Sequence, residues 1–181
     1  MSARVLGESL DGGQSFRWRP RDEGWVGAFG HHLVEVRADA GGVSWRQPME
    51  APTAGEALAD YLDARGTQAE AADRLPWRSD PVLRRAMEQF AGLRILRQEP
   101  DEALLGFLCS SNKRILQIRR MVEALAQQLG EPLAEGWRAL PDWRTLAQAK
   151  EPALRHCGLG YRAAFIRATA QRLADNPGCL L

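Results

Sequence analysis

The sequence predicts an α+β protein: an N-terminal antiparallel β-sheet domain followed by an all-helical segment. Three observations carry this. The first fifty or so residues break into short β-rich runs divided by glycine, proline and aspartate. From Thr53 onward the apolar residues take the spacing of helices, and no internal repeat or low-complexity tract breaks the pattern.

The strands come first. Phe16 and Trp18 alternate with Ser15, Arg17 and Arg19, and the runs Trp25 to Phe29, Leu33 to Arg37 and Val43 to Trp45 follow. Turn chemistry separates them at Pro20 to Gly24, Gly30-His31-His32 and Asp39-Ala40-Gly41-Gly42, giving a meander of three or four strands. Thr53 and Glu56 then have capping-box spacing, with Leu58, Tyr61 and Leu62 on one face of a helix ending by Gly66. Asp80 and Pro81 supply a cap and a first-turn proline for a helix expected to bury Val82, Leu83, Ala86, Met87 and Phe90. Asp101 to Cys109 is apolar nearly all round, as a central buried helix would be. Ile115, Ile118, Val122, Leu125 and Leu129 mark a long amphipathic helix that Gly130 can end. Residues 131–142 read as a loop, Asp142 caps a short helix, Pro152 starts another that Gly158 stops, and Tyr161 to Ala174 forms the last before Asn176-Pro177-Gly178.

At 181 residues and 45% apolar content, the chain is long enough for one or two small cores. No run approaches the roughly 18 apolar residues of a membrane span, and Met1-Ser2-Ala3-Arg4 leads into no secretory signal. The expected location is therefore cytoplasmic, at the nucleoid in a bacterium or in the nucleus of a eukaryote. Cys109, Cys157 and Cys179 lack metal-ligand spacing and read as reduced, mostly buried thiols. His31, His32 and His156 have no partners at ligand spacing, so no metal and no cofactor is expected. A net charge of +1 gives no overall case for nucleic acid, but the distribution is uneven. Ala103 to Val122 holds Lys113, Arg114, Arg119 and Arg120 without an acid, and Pro152 to Ala174 holds Arg155, Arg162, Arg167 and Arg172 likewise. Charge alone leaves solvated helix faces and a nucleic-acid surface equally open.

Each window contains a motif. Cys109-Ser110-Ser111-Asn112-Lys113-Arg114-Ile115 spans the turn between two predicted helices, where Asn112 could push a short amide into a base stack while Ser110 and Ser111 bond the amides of the next helix. The alternative is that Ser111 or Asn112 is simply an N-cap. Gly158-Leu159-Gly160-Tyr161-Arg162 opens a helix behind a glycine turn, offering amides to a phosphate and a ring and a guanidinium to bases. The alternative there is a core tyrosine and a surface arginine. Gly12-Gly13-Gln14-Ser15-Phe16-Arg17-Trp18 begins with a turn whose glycines let a carbonyl approach a ligand. Phe16 and Trp18 are assigned to packing, and Gln14 and Arg17 to structural roles.

Together with Gly92-Leu93-Arg94-Ile95-Leu96-Arg97-Gln98-Glu99-Pro100, these strings give a chain that, from about Leu10 to about Leu173, resembles the 8-oxoguanine DNA glycosylase/AP lyase family of base excision repair. The resemblance implies a duplex-DNA partner carrying an oxidised purine, recognised by base flipping. It implies that Asn112 fills the vacated space and bonds the orphaned cytosine, that Tyr161 is a wedge beside the lesion, and that Arg162 lies against that cytosine. It places on Gly13 the carbonyl that accepts the N7 hydrogen of 8-oxoguanine. Lys113 and Arg114 stand where the family commonly has asparagines and are assigned to phosphate. Gln117 stands where relatives carry an arginine that helps read the opposite cytosine.

The family's Schiff-base lysine and aspartate belong to a helix-hairpin-helix beyond the Gly-Leu-Gly-Tyr-Arg string, and this sequence continues nineteen residues past Arg162. Its two lysines, Lys113 and Lys150, lie in no such hairpin. The expectation is thus an N-terminal sheet-plus-helices domain over 1–92 and an incomplete helical glycosylase domain over 93–181. This chain would hold no catalytic residue and be inactive alone, as a truncated gene product, an unfinished assembly, or one half of a split enzyme whose partner chain carries the catalytic half. The alternative from another class is a non-catalytic damaged-DNA-binding module.

Overall fold

A computed structural model of the chain describes residues 1–40, 42–48 and 53–176. Gly41 of the third predicted turn, the thiol of Cys179, and Pro177 and Gly178 lie outside the described residues. The chain divides into two compact units. The first holds Met1–Gln14, Trp18–Val26 and Val34–Arg97; the second holds Ser15–Arg17, Gly27–Leu33 and Gln98–Leu181.

A helix the sequence reading passed over opens the first unit. α1 (Ala3–Asp11) is capped by Ser2, whose Oγ accepts from Val5 N at 3.3 Å, and it buries Val5, Leu6, Ser9 and Leu10. Val5, Leu6 and Leu10 line one face of this short helix, and Ser9 joins them with its hydroxyl donating to Val5 O at 2.9 Å and accepting from Arg94 N at 3.0 Å. The sheet follows as predicted, an antiparallel meander of β1 (Trp18–Arg21), β2 (Gly24–Phe29), β3 (His32–Asp39) and β4 (Gly42–Arg46) in the order β1-β2-β3-β4, with Glu35 opposite Arg46 and Arg37 opposite Ser44. β1 starts at Trp18, so the alternation proposed from Phe16 begins too early. Trp18 is buried and donates its indole N–H to the Tyr61 hydroxyl at 3.1 Å.

α2 (Ala54–Tyr61) buries Ala54, Leu58 and Tyr61, but the predicted capping box does not form. Thr53 has φ −93° and ψ −3°, nearly helical, whereas a capping side chain requires an extended backbone. A short α3 (Gln68–Asp73) was not anticipated. α4 (Pro81–Gln89) begins as expected, Asp80 Oδ1 accepting from Val82 N at 2.8 Å and Leu83 N at 3.0 Å. Its expected burial fails: no residue of α4 is buried and Val82 is 66% exposed. Residues 93–97 have no strand partner. Their amides are met instead by Gln14, which joins Arg94 O and Leu96 N at 2.8 and 3.0 Å, and by Gln68, which joins Ile95 O and N at 2.8 and 2.9 Å. Ser9 Oγ accepts from Arg94 N at 3.0 Å and Tyr61 O from Arg97 N at 2.9 Å.

Beyond the hairpin residues 27–33, the second unit is helical: α5 (Pro100–Ser110), α6 (Ile115–Leu129), α7 (Trp143–Gln148), α8 (Glu151–Leu154), a π turn (Arg155–Leu159) and α9 (Arg162–Asp175). Leu105, Val122, Leu125, Leu146, Leu159 and Ile166 are among its core side chains. α5 is less enclosed than its composition suggested, since only Leu105, Gly106 and Cys109 are buried and Phe107 is 72% exposed. A Cβ at Gly106 would meet the Phe16 ring at 3.3 Å, tighter than ordinary contact. Gly130 ends α6 as predicted, and a Cβ there would lie 1.8 Å from Ala139 O. Asp142 caps α7, accepting from Thr145 N at 2.7 Å. Arg17 is buried, paired with Glu123 at 3.1 Å and donating to Arg138 O, a structural role. Cys109 is fully buried and burial pushes its thiol up to about 12, so it is core and not a nucleophile. Among the described residues no helix is long and apolar enough to cross a membrane.

Candidate nucleic-acid interface

Between α5 and α6 the backbone makes a tight turn in which Lys113 N donates to Ser110 O at 3.1 Å. Asn112 takes φ +51°, a left-handed conformation that asparagine tolerates better than most side chains, and it is exposed. Neither serine caps α6. Ser110 Oγ donates to Phe107 O at 2.7 Å, closing the preceding helix, and Ser111 Oγ lies 3.5 Å from the Tyr161 hydroxyl. The N-cap is Arg114, with φ −80° and ψ 152°, and Gln117 Oε1 accepts its N–H at 3.1 Å. The N-cap alternative for Ser111 and Asn112 is thereby removed, and Gln117 is engaged with its own helix. Lys113 is half-buried and Arg114 exposed.

The second motif forms where α8 loosens into the π turn. Gly158 (φ +82°) and Gly160 (φ +57°) make a reversal that side-chain-bearing residues resist. Tyr161 is the N-cap of α9 and is 51% exposed, its ring meeting Phe165 edge-on at 6.2 Å and 84°. It is no core tyrosine. Phe165 lies one helical turn on, a pairing that the i, i+4 spacing could have revealed. The alternative of a surface cation fails for Arg162: only 4% of it is exposed, and its guanidinium stacks 4.4 Å from the centre of the Tyr161 ring. It donates from Nη1 to Leu159 O at 3.4 Å and from Nη2 to Ser111 O, while its Nε is buried without a partner.

The structure therefore joins the Asn112 and Tyr161 motifs in one unit. The Ser111 hydroxyl, then the Arg162 charge, the Asn112 side chain and Lys113, hold the Tyr161 phenol below its usual range. Gly13 (φ +102°) belongs to the first unit, where the following Gln14 is committed to backbone bonds. Of the charge windows, the second is less free than its composition implied, since Arg155 pairs with Glu151 at 2.7 Å. Lys150 is the exposed N-cap of α8. Among the described residues no group of three His, Cys, Asp or Glu side chains could hold a metal, and His31 approaches Glu131 at 3.8 Å.

Comparison with known proteins places this geometry in context. The family model described as 8-oxoguanine DNA glycosylase, N-terminal domain, matches residues 3–104. The chain is 33% identical over 174 residues to an N-glycosylase/DNA lyase OGG1 of Arabidopsis thaliana, covering 92% of this chain and 47% of that protein. It is similar to the apo structure of an 8-oxoguanine glycosylase/lyase from Clostridium acetobutylicum, with TM-score 0.84 and 26% identity over 97% of this chain and 62% of that one. The same enzyme with double-stranded DNA containing cytosine opposite 8-oxoguanine gives TM-score 0.83 and 27% identity over 94% and 59%. The chain spans about half the length of the Arabidopsis relative.

Proposed function

Since the chain belongs to the 8-oxoguanine DNA glycosylase family, we propose that it serves base excision repair as the strand-gripping part of a DNA glycosylase/AP lyase, acting on duplex DNA that carries an oxidised purine. The observation that supports this best is the union of an exposed left-handed Asn112 with an exposed Tyr161 across the Ser111 and Arg162 bonds. A flipped base leaves a hole and an orphan partner, and a short amide beside an aromatic ring is suited to occupy both. Lys113 and Arg114 flank the amide and serve the phosphates. Gly13 supplies a carbonyl to the lesion. The duplex is of the kind bound by the similar Clostridium enzyme, with cytosine opposite 8-oxoguanine. Such a protein works where the genome lies, at the nucleoid of a bacterium or in a nucleus.

A Schiff-base nucleophile must be desolvated or otherwise activated, and we assign that role to neither lysine. Lys113 stands among the grip residues and Lys150 is exposed. We assign the residues described here to recognition of the duplex.

Binding to labelled duplex and to the matching single strand tests the reading. Asn112→Ala should weaken duplex binding on the scale of an unfilled stack, roughly a few kcal/mol, and leave single-strand binding unchanged, because there is no hole to fill. Equal losses on both substrates would assign Asn112 to folding instead.

A further inference from the structure

Arg162 is turned into its own unit. Its guanidinium donates to the Ser111 carbonyl and to Leu159 O, and its face covers the Tyr161 ring. Ser111 in turn reaches Tyr161 through its hydroxyl at 3.5 Å. Ser111 is the C-cap of α5, where a helix leaves carbonyls without partners, and it directly precedes the left-handed Asn112. The carbonyl that fixes the entry to that residue is thus held by a side chain 51 residues further on.

We propose that Arg162 is a positioning residue: it latches the Ser111-Asn112 turn to Tyr161, so that the amide and the ring stand as one preset wedge before a duplex arrives. This rests on the DNA-reading role above and adds an intramolecular task distinct from holding a base. Arginine suits the task because its planar fork spans two carbonyls while its face stacks on a ring, which a lysine ammonium cannot reproduce.

Tyrosine ionisation reads the latch without DNA. The chain has two tyrosines, so the titration is read as the difference between each protein and its Tyr161→Phe counterpart, which gives the Tyr161 midpoint alone. In Ser111→Ala and in Arg162→Lys the Tyr161 midpoint should move up toward the ordinary phenol value, and Ser111→Thr should restore it. Arg162→Lys keeps the charge and removes the fork, which separates geometry from Coulomb attraction. Unchanged thermal unfolding of Ser111→Ala guards against a folding defect. With duplex, Arg162→Lys should lose about tenfold in affinity, the scale of one charged hydrogen bond, whichever base stands opposite the lesion. An unmoved Tyr161 titration in both variants, or a loss confined to duplexes with cytosine opposite the lesion, would overturn the latch. Were the wild-type chain not to bind duplex at all, the repair role would fail while the titration still decided the latch.

Discussion

Glu102 carries a charge problem that the sequence does not display. It accepts the Gly30 N–H at 2.9 Å, and burial pushes its carboxyl up to about 7, against the opposing hydrogen bond and the nearby Arg17. Because the folded value lies above the unfolded one, the folded chain binds the proton more tightly. Stability from this group is complete below about pH 4.5 and is lost as pH rises to about 7, by no more than about 3 kcal/mol. Glu102→Gln should flatten the pH dependence of unfolding across that interval and raise the melting temperature at pH 8; an identical profile to wild type would remove the assignment. Lysine chemistry is decided by trapping. Incubation with abasic DNA and borohydride should yield no covalent adduct at Lys113 or Lys150, and a mapped adduct at either would place the family's nucleophile on a residue assigned here to other work.

At the scale of elements, α6 depends on how it ends. A Cβ at Gly130 would sit 1.8 Å from Ala139 O and 2.8 Å from Ala126 O, both backbone atoms with no side-chain torsion to yield. Gly130→Ala should destabilise by about 1–3 kcal/mol, seen as a lower urea midpoint at constant m-value. The stop at Gly130 and the caps at Asp80 and Asp142 were legible because each acts within a few residues of itself. Burial of α4 was not, since a periodic apolar face states what could be covered and not what covers it. In the candidate site the two motifs were legible separately. Their union was not, because the Arg162 to Ser111 bond spans 51 residues, and Gln14 meets Arg94 across 80. The alternative of a surface Arg162 could be set aside only once that bond was seen, since the residue is 4% exposed.

For the whole molecule, a net charge of +1 conceals the two acid-free windows. Duplex affinity should therefore fall with salt far more steeply than net charge suggests, and neutralising Lys113 and Arg114 together should flatten the slope by roughly two phosphate equivalents. An unchanged slope would detach that turn from the nucleic-acid backbone. The family is carried by motifs that lie in both units, that of Gly13 in the first and those of Asn112 and Tyr161 in the second. Composition, which pools them, could not have revealed it.

The segment without a strand partner has a further use. Four successive amides, at Arg94, Ile95, Leu96 and Arg97, are each held by a different part of the first unit: the Ser9 hydroxyl, the Gln68 amide, the Gln14 amide and the Tyr61 carbonyl. In a ladder, neighbouring amides exchange with deuterium together because one strand departs as a whole. Here they need not. The rates at four adjacent positions would time the separate loosening of α1, α3, the Gly12-Gly13-Gln14 turn and α2, so one short peptide in a mass spectrum becomes a four-channel record of how this unit comes apart.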